Sequence, residues 1–314
     1  MDGVTAALHS AVSAEDRSAQ VSDSPLVSVR TIDRTTTSRR LGRDAQVEDK
    51  ALIISPEDPR LTDPFLALSE DWFSTPGFDW HPHRGIETVT TVLDGVLEHG
   101  DNLGNSGALE PADVQWMTAG RGIIHRELAY RDEHAHTLQL WLNLPANDKL
   151  TDTRYQDLLA ANRPRLERPG VVCDVIAGSV AGVRGPAQTH VPVQGVLAAL
   201  EPNASFDYPL PATHRVFVHV LTGSLAVAGT SCAAGQTAWS DPVSGTESAL
   251  WLTTGDGEQV TRLLIFSGPP LREPVVFGGP FVMNRREEIL QAFSDFHAGA
   301  FGDIPRMTRV AATL

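Results

Sequence analysis

The chain has 314 residues, 41 % of them apolar and 20 % charged, with a formal net charge of −14. This is an ordinary composition for a soluble globular protein, long enough for two domains. So acidic a surface repels phosphate backbones and anionic bilayers, which argues against direct nucleic-acid or membrane binding.

The two cysteines, Cys173 and Cys232, form no CxxC pair and are too few for a disulfide framework. No window approaches the ~20 apolar residues of a membrane helix, and no basic-then-apolar leader opens the chain. A reducing cytoplasm is the expected compartment.

Residues 1–24, rich in Ala, Ser and Asp, read as a flexible tail. A first β-domain is expected over residues 25–146. It opens at the alternating Leu26-Val-Ser-Val, and Ala51-Leu-Ile-Ile suits a short buried strand. Prolines 56, 59, 64 and 76 mark the next stretch as loop-like. Glu87-Thr-Val-Thr-Thr-Val-Leu is β-branched, Asp94-Gly95 is a turn signal, and Val96-Leu-Glu-His continues as the partner strand. Val114-Gln-Trp-Met, the tight Gly120-Arg-Gly122 and Thr137-Leu-Gln-Leu-Trp-Leu-Asn-Leu follow. Short strands with regular turns predict a small barrel or sandwich.

Residues 147–170 are polar and proline-punctuated, and read as an inter-domain connection with one or two helical turns over Tyr155–Ala161. A second β-domain is expected over 171–314. It weakly repeats the first, with Val220-Leu-Thr-Gly223-Ser-Leu matching Val92-Leu-Asp-Gly95-Val-Leu. Asn284-Arg-Arg-Glu287 looks like a capping box, with Asn284 as N-cap. Behind it Ile289, Leu290, Phe293 and Phe296 form a helical apolar stripe, and Gly299 is the expected stop.

Within the first domain, Phe78 to Glu127 carries the chemistry. His81 with His83, and His125 with Glu127, are i, i+2 pairs. Residues two apart on a strand share a face, so each pair can aim two ligand groups into one space. If the two strands are neighbours, three imidazoles and one carboxylate converge, a donor set for a borderline or hard divalent cation. Carrying the repeat register across places His81 and His83 opposite Pro209 and Pro211, and His125 and Glu127 opposite Leu250 and Leu252. One metal site is therefore expected, with His214 and His219 as structural histidines. Phe78, Trp80, Trp116 and Met117 suit either an apolar pocket for a planar ligand or plain barrel core. Arg84 and Arg121 suit either anion contacts or salt-bridged scaffold.

The run His81-Pro-His-Arg-Gly, Glu-Thr-Val-Thr, and Asp113-Val-Gln-Trp-Met-Thr-Ala-Gly-Arg-Gly-Ile-Ile-His-Arg-Glu resembles the pirin family of the cupin superfamily. Leu138-Gln-Leu-Trp-Leu-Asn-Leu-Pro and Gly279-Pro-Phe-Val-Met-Asn-Arg-Arg-Glu-Glu-Ile extend the likeness, which spans roughly Leu26 to Phe301. The resemblance implies an all-β bicupin, two facing barrels with a C-terminal helix. It puts metal only in the first barrel, on His81, His83, His125 and Glu127. Iron as Fe(II) is the implied metal, with Cu, Mn, Ni or Zn as others the same donors suit. The implied activity is that of a quercetin 2,3-dioxygenase acting on a flavonol-like substrate and O2, in a monomer. Some members are described instead as regulators that bind a partner protein.

Generic cupins place a glutamate ligand four residues after the second His, where Glu87 stands. Its parity with His81 and His83 predicts an inward side chain that orients an imidazole. Either Glu127 or Glu87 would take the proton of a substrate hydroxyl. The chain departs from the family pattern at Ile86 and Thr91, where larger aromatic residues are expected, and at Pro111-Ala-Asp, where Pro-Gly-Asp is usual.

Overall fold

The computed structural model describes residues 28–74 and 77–305; the expected N-terminal tail lies outside them. Among the described residues strands alternate with turns, and one α-helix, Arg286–His297, comes near the end. Among the described residues no helix is long and apolar enough to cross a membrane.

The first half builds a seven-stranded sheet in the order Arg154–Leu158, Val114–Thr118, Ile86–Gly95, Ala135–Asn143, Phe65–Phe73, Asp49–Ile54 and Arg39–Arg40. A four-stranded sheet closes against it, in the order Phe78–His83, Ile123–Ala129, Leu97–Asp101 and Ser106–Leu109. The second half repeats the plan with a seven-stranded sheet centred on Thr261–Gly268 and a five-stranded one centred on Glu247–Thr253. The Asp94-Gly95 turn needs its glycine: Gly95 has φ +73, and a Cβ there would lie 2.1 Å from the His134 carbonyl. Ala112 takes φ 71 at the place where glycine is the family's usual residue, a conformation that disfavours side chains.

The two large sheets face each other. Phe65, Val89, Trp116 and Leu140 from the first meet Phe217, Trp239, Leu264 and Phe266 from the second in one buried cluster. Phe65 stands edge-on to Phe217 with ring centroids 5.0 Å apart, a favoured aromatic geometry. Both faces of these sheets are buried, so polar residues that alternate with apolar ones point into a barrel rather than to solvent. Thr90 is such a residue, 1 % exposed.

Five expectations need correction. Tyr155–Leu158 is not helical. It lies in the edge strand Arg154–Leu158, where Tyr155 pairs with Met117; the open edge of Val114–Thr118 satisfies its backbone, which two isolated turns of helix would not. A 3-10 turn follows only at Ala160–Asn162, and Arg165–Arg168 already pairs with Val171–Ala177, so 147–170 is woven into both barrels. At the other end, Ser28–Val29 and Arg34–Thr37 pair with Glu247–Thr253 and Gln236–Ser240 of the second half. From Ser28 to Thr37 the described residues thus lie on the second barrel and not, as the boundary at 25 had it, on the first. Buried Arg30 fastens this crossing, donating to Ser248 Oγ (2.8 Å), the Asp241 carbonyl (2.9 Å) and the His214 carbonyl (2.8 Å).

The capping box is shifted by one residue. The helix begins at Arg286, and Glu288 Oε2 accepts from the backbone N–H of Asn284 (3.1 Å) and of Arg285 (3.0 Å). Asn284 instead donates through its side chain to the Pro274 carbonyl (2.8 Å). Ile289 and Ala292 are buried and Phe296 is half-buried in a cluster with Ile124 and Phe281 of the first barrel and its flanking hairpin, whereas Leu290 is 61 % exposed and outside the stripe. Gly299, at φ +76, ends the helix as expected.

The repeat register also slips by one in Ser205–Pro211. Phe206, Tyr208 and Leu210 are the buried members, and Tyr208 pairs with Leu250. Pro209 and Pro211 sit on the other face, so Tyr208, not Pro209, occupies the second-barrel counterpart of His81.

Candidate metal centre

The strand Phe78–His83 runs antiparallel to Ile123–Ala129 in the small sheet of the first barrel. His81 lies directly opposite His125, and His83 opposite Ile123. The two-residue period brings His81 and His83 to one face, and the pairing adds His125 to it. Ring centroids are 4.3 Å apart for His81 and His125, 4.9 Å for His81 and His83, and 5.1 Å for His83 and His125. One ring nitrogen from each lies within 4.8 Å of the others.

Each Nδ1 is engaged elsewhere. That of His81 is 2.8 Å from the Asp79 carbonyl, that of His83 is 3.1 Å from the Pro280 carbonyl, and that of His125 is 3.2 Å from the Tyr155 hydroxyl. Nε2 is left on each ring, and on His83 and His125 it is buried without a hydrogen-bond partner. Burial, followed by the neighbouring imidazoles, holds His83 down to about 3 and His125 well below the usual histidine range; burial also lowers His81. Neutral imidazoles with Nδ1 anchored and Nε2 free are metal-ligand groups. A divalent ion fits this donor set, and it would relieve two buried unsatisfied nitrogens.

Glu127 does not join that three-way cluster. A register slip between His125 and Glu127 sets it opposite Phe78. Its buried carboxylate accepts from Thr90 Oγ1 (2.8 Å) and Gln139 Nε2 (2.6 Å). Burial raises its pKa, and those two donors oppose the rise. Gln139 is itself oriented by Trp141, whose Nε1 donates to Gln139 Oε1 at 3.0 Å, and the Trp141 ring stands 5.1 Å from His83.

Glu87 is a correction. The strand parity that pointed it inward does not survive Arg84-Gly85, where the chain leaves one sheet and enters the other. Gly85, at φ +79, makes that turn with no room for a side chain, since a Cβ would lie 2.1 Å from the Val282 carbonyl. Beyond it Thr90 faces Glu127, whereas Glu87 shares the face of Val89, toward the layer between the barrels. There its Oε1 accepts from Thr118 Oγ1 at 2.7 Å, and the basic side chains near it are His190 and Arg154. It orients no imidazole of the cluster.

A pocket of about 640 Å³ opens beside the imidazoles, bounded by His81, His83, Phe78, Gln139, Trp141 and the Phe277–Pro280 turn. Of the four apolar residues expected there, only Phe78 lines it. Trp116 belongs to the layer between the barrels, Met117 to a core cluster with Ile86 and Val282, and Trp80 packs near the C-terminal helix. Arg84 and Arg121 are scaffold: Arg84 donates to the Arg121 carbonyl (2.6 Å) and to Asp295 Oδ2 (2.7 Å), pinning the helix, and Arg121 pairs with Asp152 at the surface. A larger groove of about 950 Å³ lies elsewhere, near Arg60, Arg215 and Arg272. Its Arg215 is spent on Asp241 Oδ1 (2.7 Å) and the Asp63 carbonyl (2.8 Å), and no imidazole lines it.

Several residues of the site lie outside the sequence expectation: Thr90, Gln139, Trp141, the Pro280 carbonyl, and Tyr155 with His99 stacked on it (5.4 Å between ring centroids, 16° between planes). Thr90 and Gln139 look like the solvent side of alternating strands. Their one signal is that both strands carry too many β-branched and large apolar residues on the opposite face for a two-layer sandwich open to water.

In the second barrel His214 bonds Ser267 Oγ (3.0 Å) and His219 bonds Thr237 Oγ1 (2.9 Å), each apart from any such cluster. The metal-centre positions there are filled by Tyr208, Leu210 and Leu250, all buried in apolar core.

Two facing β-barrels, one lined with imidazoles and the other filled with apolar side chains, define a bicupin. The Pirin family model matches residues 43–142 and the Pirin C-terminal cupin domain model matches residues 196–302; the chain belongs to the pirin family. Pirin-1 of Arabidopsis thaliana is 38 % identical, covering 77 % of this chain and 85 % of its own length. Pirin of Homo sapiens is 37 % identical, covering 74 % and 81 %. The crystal structure of a quercetin 2,3-dioxygenase from Acinetobacter baumannii aligns with a TM-score of 0.79 at 30 % identity, over 88 % of this chain and 100 % of that one.

Proposed function

We propose that this pirin is a metal-dependent dioxygenase that opens quercetin-like flavonols with O2, releasing carbon monoxide. One divalent ion per chain is held by His81, His83 and His125, and Glu127, which lies outside that three-way cluster, is proposed as the fourth ligand. Fe(II) is the ion the family resemblance favours, and Cu, Mn, Ni or Zn suit the same donors. The observation that carries this reading is the pair of buried, unpartnered Nε2 atoms on His83 and His125 beside an apolar-walled pocket. The likeness to a quercetin 2,3-dioxygenase supports it.

A redox-active ion bound here supplies the exchange of electrons with O2 that organic side chains lack. The chain's own residues do the rest. Phe78, Trp141 and Phe277 offer apolar faces to a planar substrate. Glu127 takes the proton of the substrate hydroxyl: burial makes its carboxylate a stronger base than an exposed one, and Thr90 and Gln139 hold it in place. Tyr155 holds the orientation of His125, and the Pro280 carbonyl holds His83 in one orientation with its Nδ1 protonated.

The test is an aerobic assay of protein loaded in turn with Fe, Cu, Mn and Ni. Loss of the flavonol absorption band with matching O2 consumption and carbon monoxide release is the expected result. His83→Ala should abolish both metal uptake and turnover. Absence of turnover with every one of these metals refutes the activity, and full stoichiometric metal in His83→Ala refutes the site.

A further inference from the structure

The pocket has a polar end that the chemistry above leaves unused. Strand Phe65–Phe73 lines the pocket with Ala67, Ser69 and Asp71, which alternate onto one face. Asp71 is 1 % exposed. Its Oδ2 accepts from Ser69 Oγ at 2.6 Å, but Oδ1 is buried with no hydrogen-bond partner. The cation beside it is Lys50, whose Nζ is 3.5 Å from Oδ1, beyond ordinary hydrogen-bond length. Lys50 is also shared with Asp44 at 3.6 Å, and it lies over the Phe78 ring 5.3 Å from the centroid. Two carboxylates thus face one ammonium, and this end of the pocket is net negative.

Oδ1 thus has only the long contact to Lys50, and a ligand hydroxyl would give it a hydrogen bond of ordinary length. The sign of the charge excludes a carboxylate or phosphate ligand there and selects a neutral hydroxyl. The spacing sets the size of the ligand. Ala67 pairs with Trp141, whose ring abuts His83, and Asp71 is four residues further along the strand, about 13 Å at the usual strand rise. A single ring cannot touch both the Trp141 end of this strand and Asp71; a fused ring system carrying a further aryl ring can.

We infer that Asp71, with Lys50 beside it, is a specificity subsite that accepts a hydrogen bond from a phenolic hydroxyl on the distal ring of an extended polyphenol whose other end lies at the imidazoles. This rests on the flavonol reading of the site. It adds that distal hydroxylation, not the ring skeleton alone, sets affinity.

The test is a binding comparison on Zn-loaded protein, which separates recognition from turnover. Quercetin, with two distal-ring hydroxyls, and galangin, with none, are titrated while tryptophan fluorescence is followed. The wild type should bind quercetin at least about tenfold more tightly, the scale of one hydrogen bond to a charged group. In Asp71→Ala the quercetin affinity should fall to that of galangin, with galangin unchanged. Equal affinities in the wild type overturn the subsite without recourse to any variant. So does an equal loss of both ligands in an Asp71→Ala protein whose far-UV spectrum and metal content match the wild type. If neither flavonol binds the wild type, the flavonol reading itself fails, an outcome distinct from binding without discrimination.

Discussion

Tyr155→Phe is the most informative single change in this protein. It removes one oxygen and leaves the ring, so the stacking on His99 and the packing of the edge strand persist. What disappears is the contact between the hydroxyl and His125 Nδ1, at 3.2 Å. That is a long bond between neutral groups, since burial and then Glu127, Asp101 and Asp157 keep the phenol protonated. Its net value to the fold is therefore at the low end of the usual range, about 0.5–1 kcal/mol. Its value to the site is larger, because the same contact sets both the ring orientation and the nitrogen that stays free. Losing an outer partner of a ligating histidine typically weakens metal affinity about tenfold to a hundredfold, or about 1.4–2.8 kcal/mol. Urea unfolding of metal-free protein should thus show a loss of at most about 1 kcal/mol. Competition with a chelator should show a metal dissociation constant at least about tenfold higher. Unchanged metal affinity, or a loss in affinity no larger than the loss in fold stability, refutes the role given to Tyr155.

The two glutamates should separate cleanly. Glu127→Gln should lower kcat and weaken metal binding, whereas Glu87→Gln, on the far face of its sheet, should leave metal stoichiometry and kcat within about twofold; a reversal of the two would overturn the assignment of faces. The second barrel predicts acid sensitivity. His214 and His219, held by burial at about 4 against an ordinary 6.5, are neutral in the fold and become protonated more readily when unfolded. Their contribution is whole above pH 6.5 and is lost as pH falls from 6.5 toward 4. At pH 5 each should withdraw about 2 kcal/mol relative to pH 7.5, so His219→Gln should shrink the drop in urea-unfolding free energy by about that amount. A pH dependence identical to the wild type would refute the assignment.

How much of this was legible in the chain depends on how local each signal is. His81, His83 and His125 are readable because a strand repeats every two residues and turn residues bound the strands; both facts lie within a few positions of each histidine. The apolar filling of the second barrel is readable in outline too, since Leu250 and Leu252 stand where ligands would be. The reading failed by one residue wherever a local rule crossed an irregularity. The Gly85 turn reset the parity that had pointed Glu87 inward, and the slip in Ser205–Pro211 exchanged Pro209 for Tyr208. At the helix, Asn284 found a partner in the Pro274 carbonyl, and Glu288, not Glu287, closed the cap.

By itself, then, the amino-acid order determined the all-β character, the pirin likeness and the three imidazoles, since these follow from period, turn chemistry and residue type. Tertiary structure alone decided what surrounds them. Tyr155 reaches His125 from an edge strand, Pro280 reaches His83 from 197 positions further along the chain, and Lys50 meets Asp71 from the neighbouring strand. Such contacts are made by sheet closure and barrel packing. Their free energy depends on which distant segments share a layer, and no window of sequence short enough to read as a motif contains both partners.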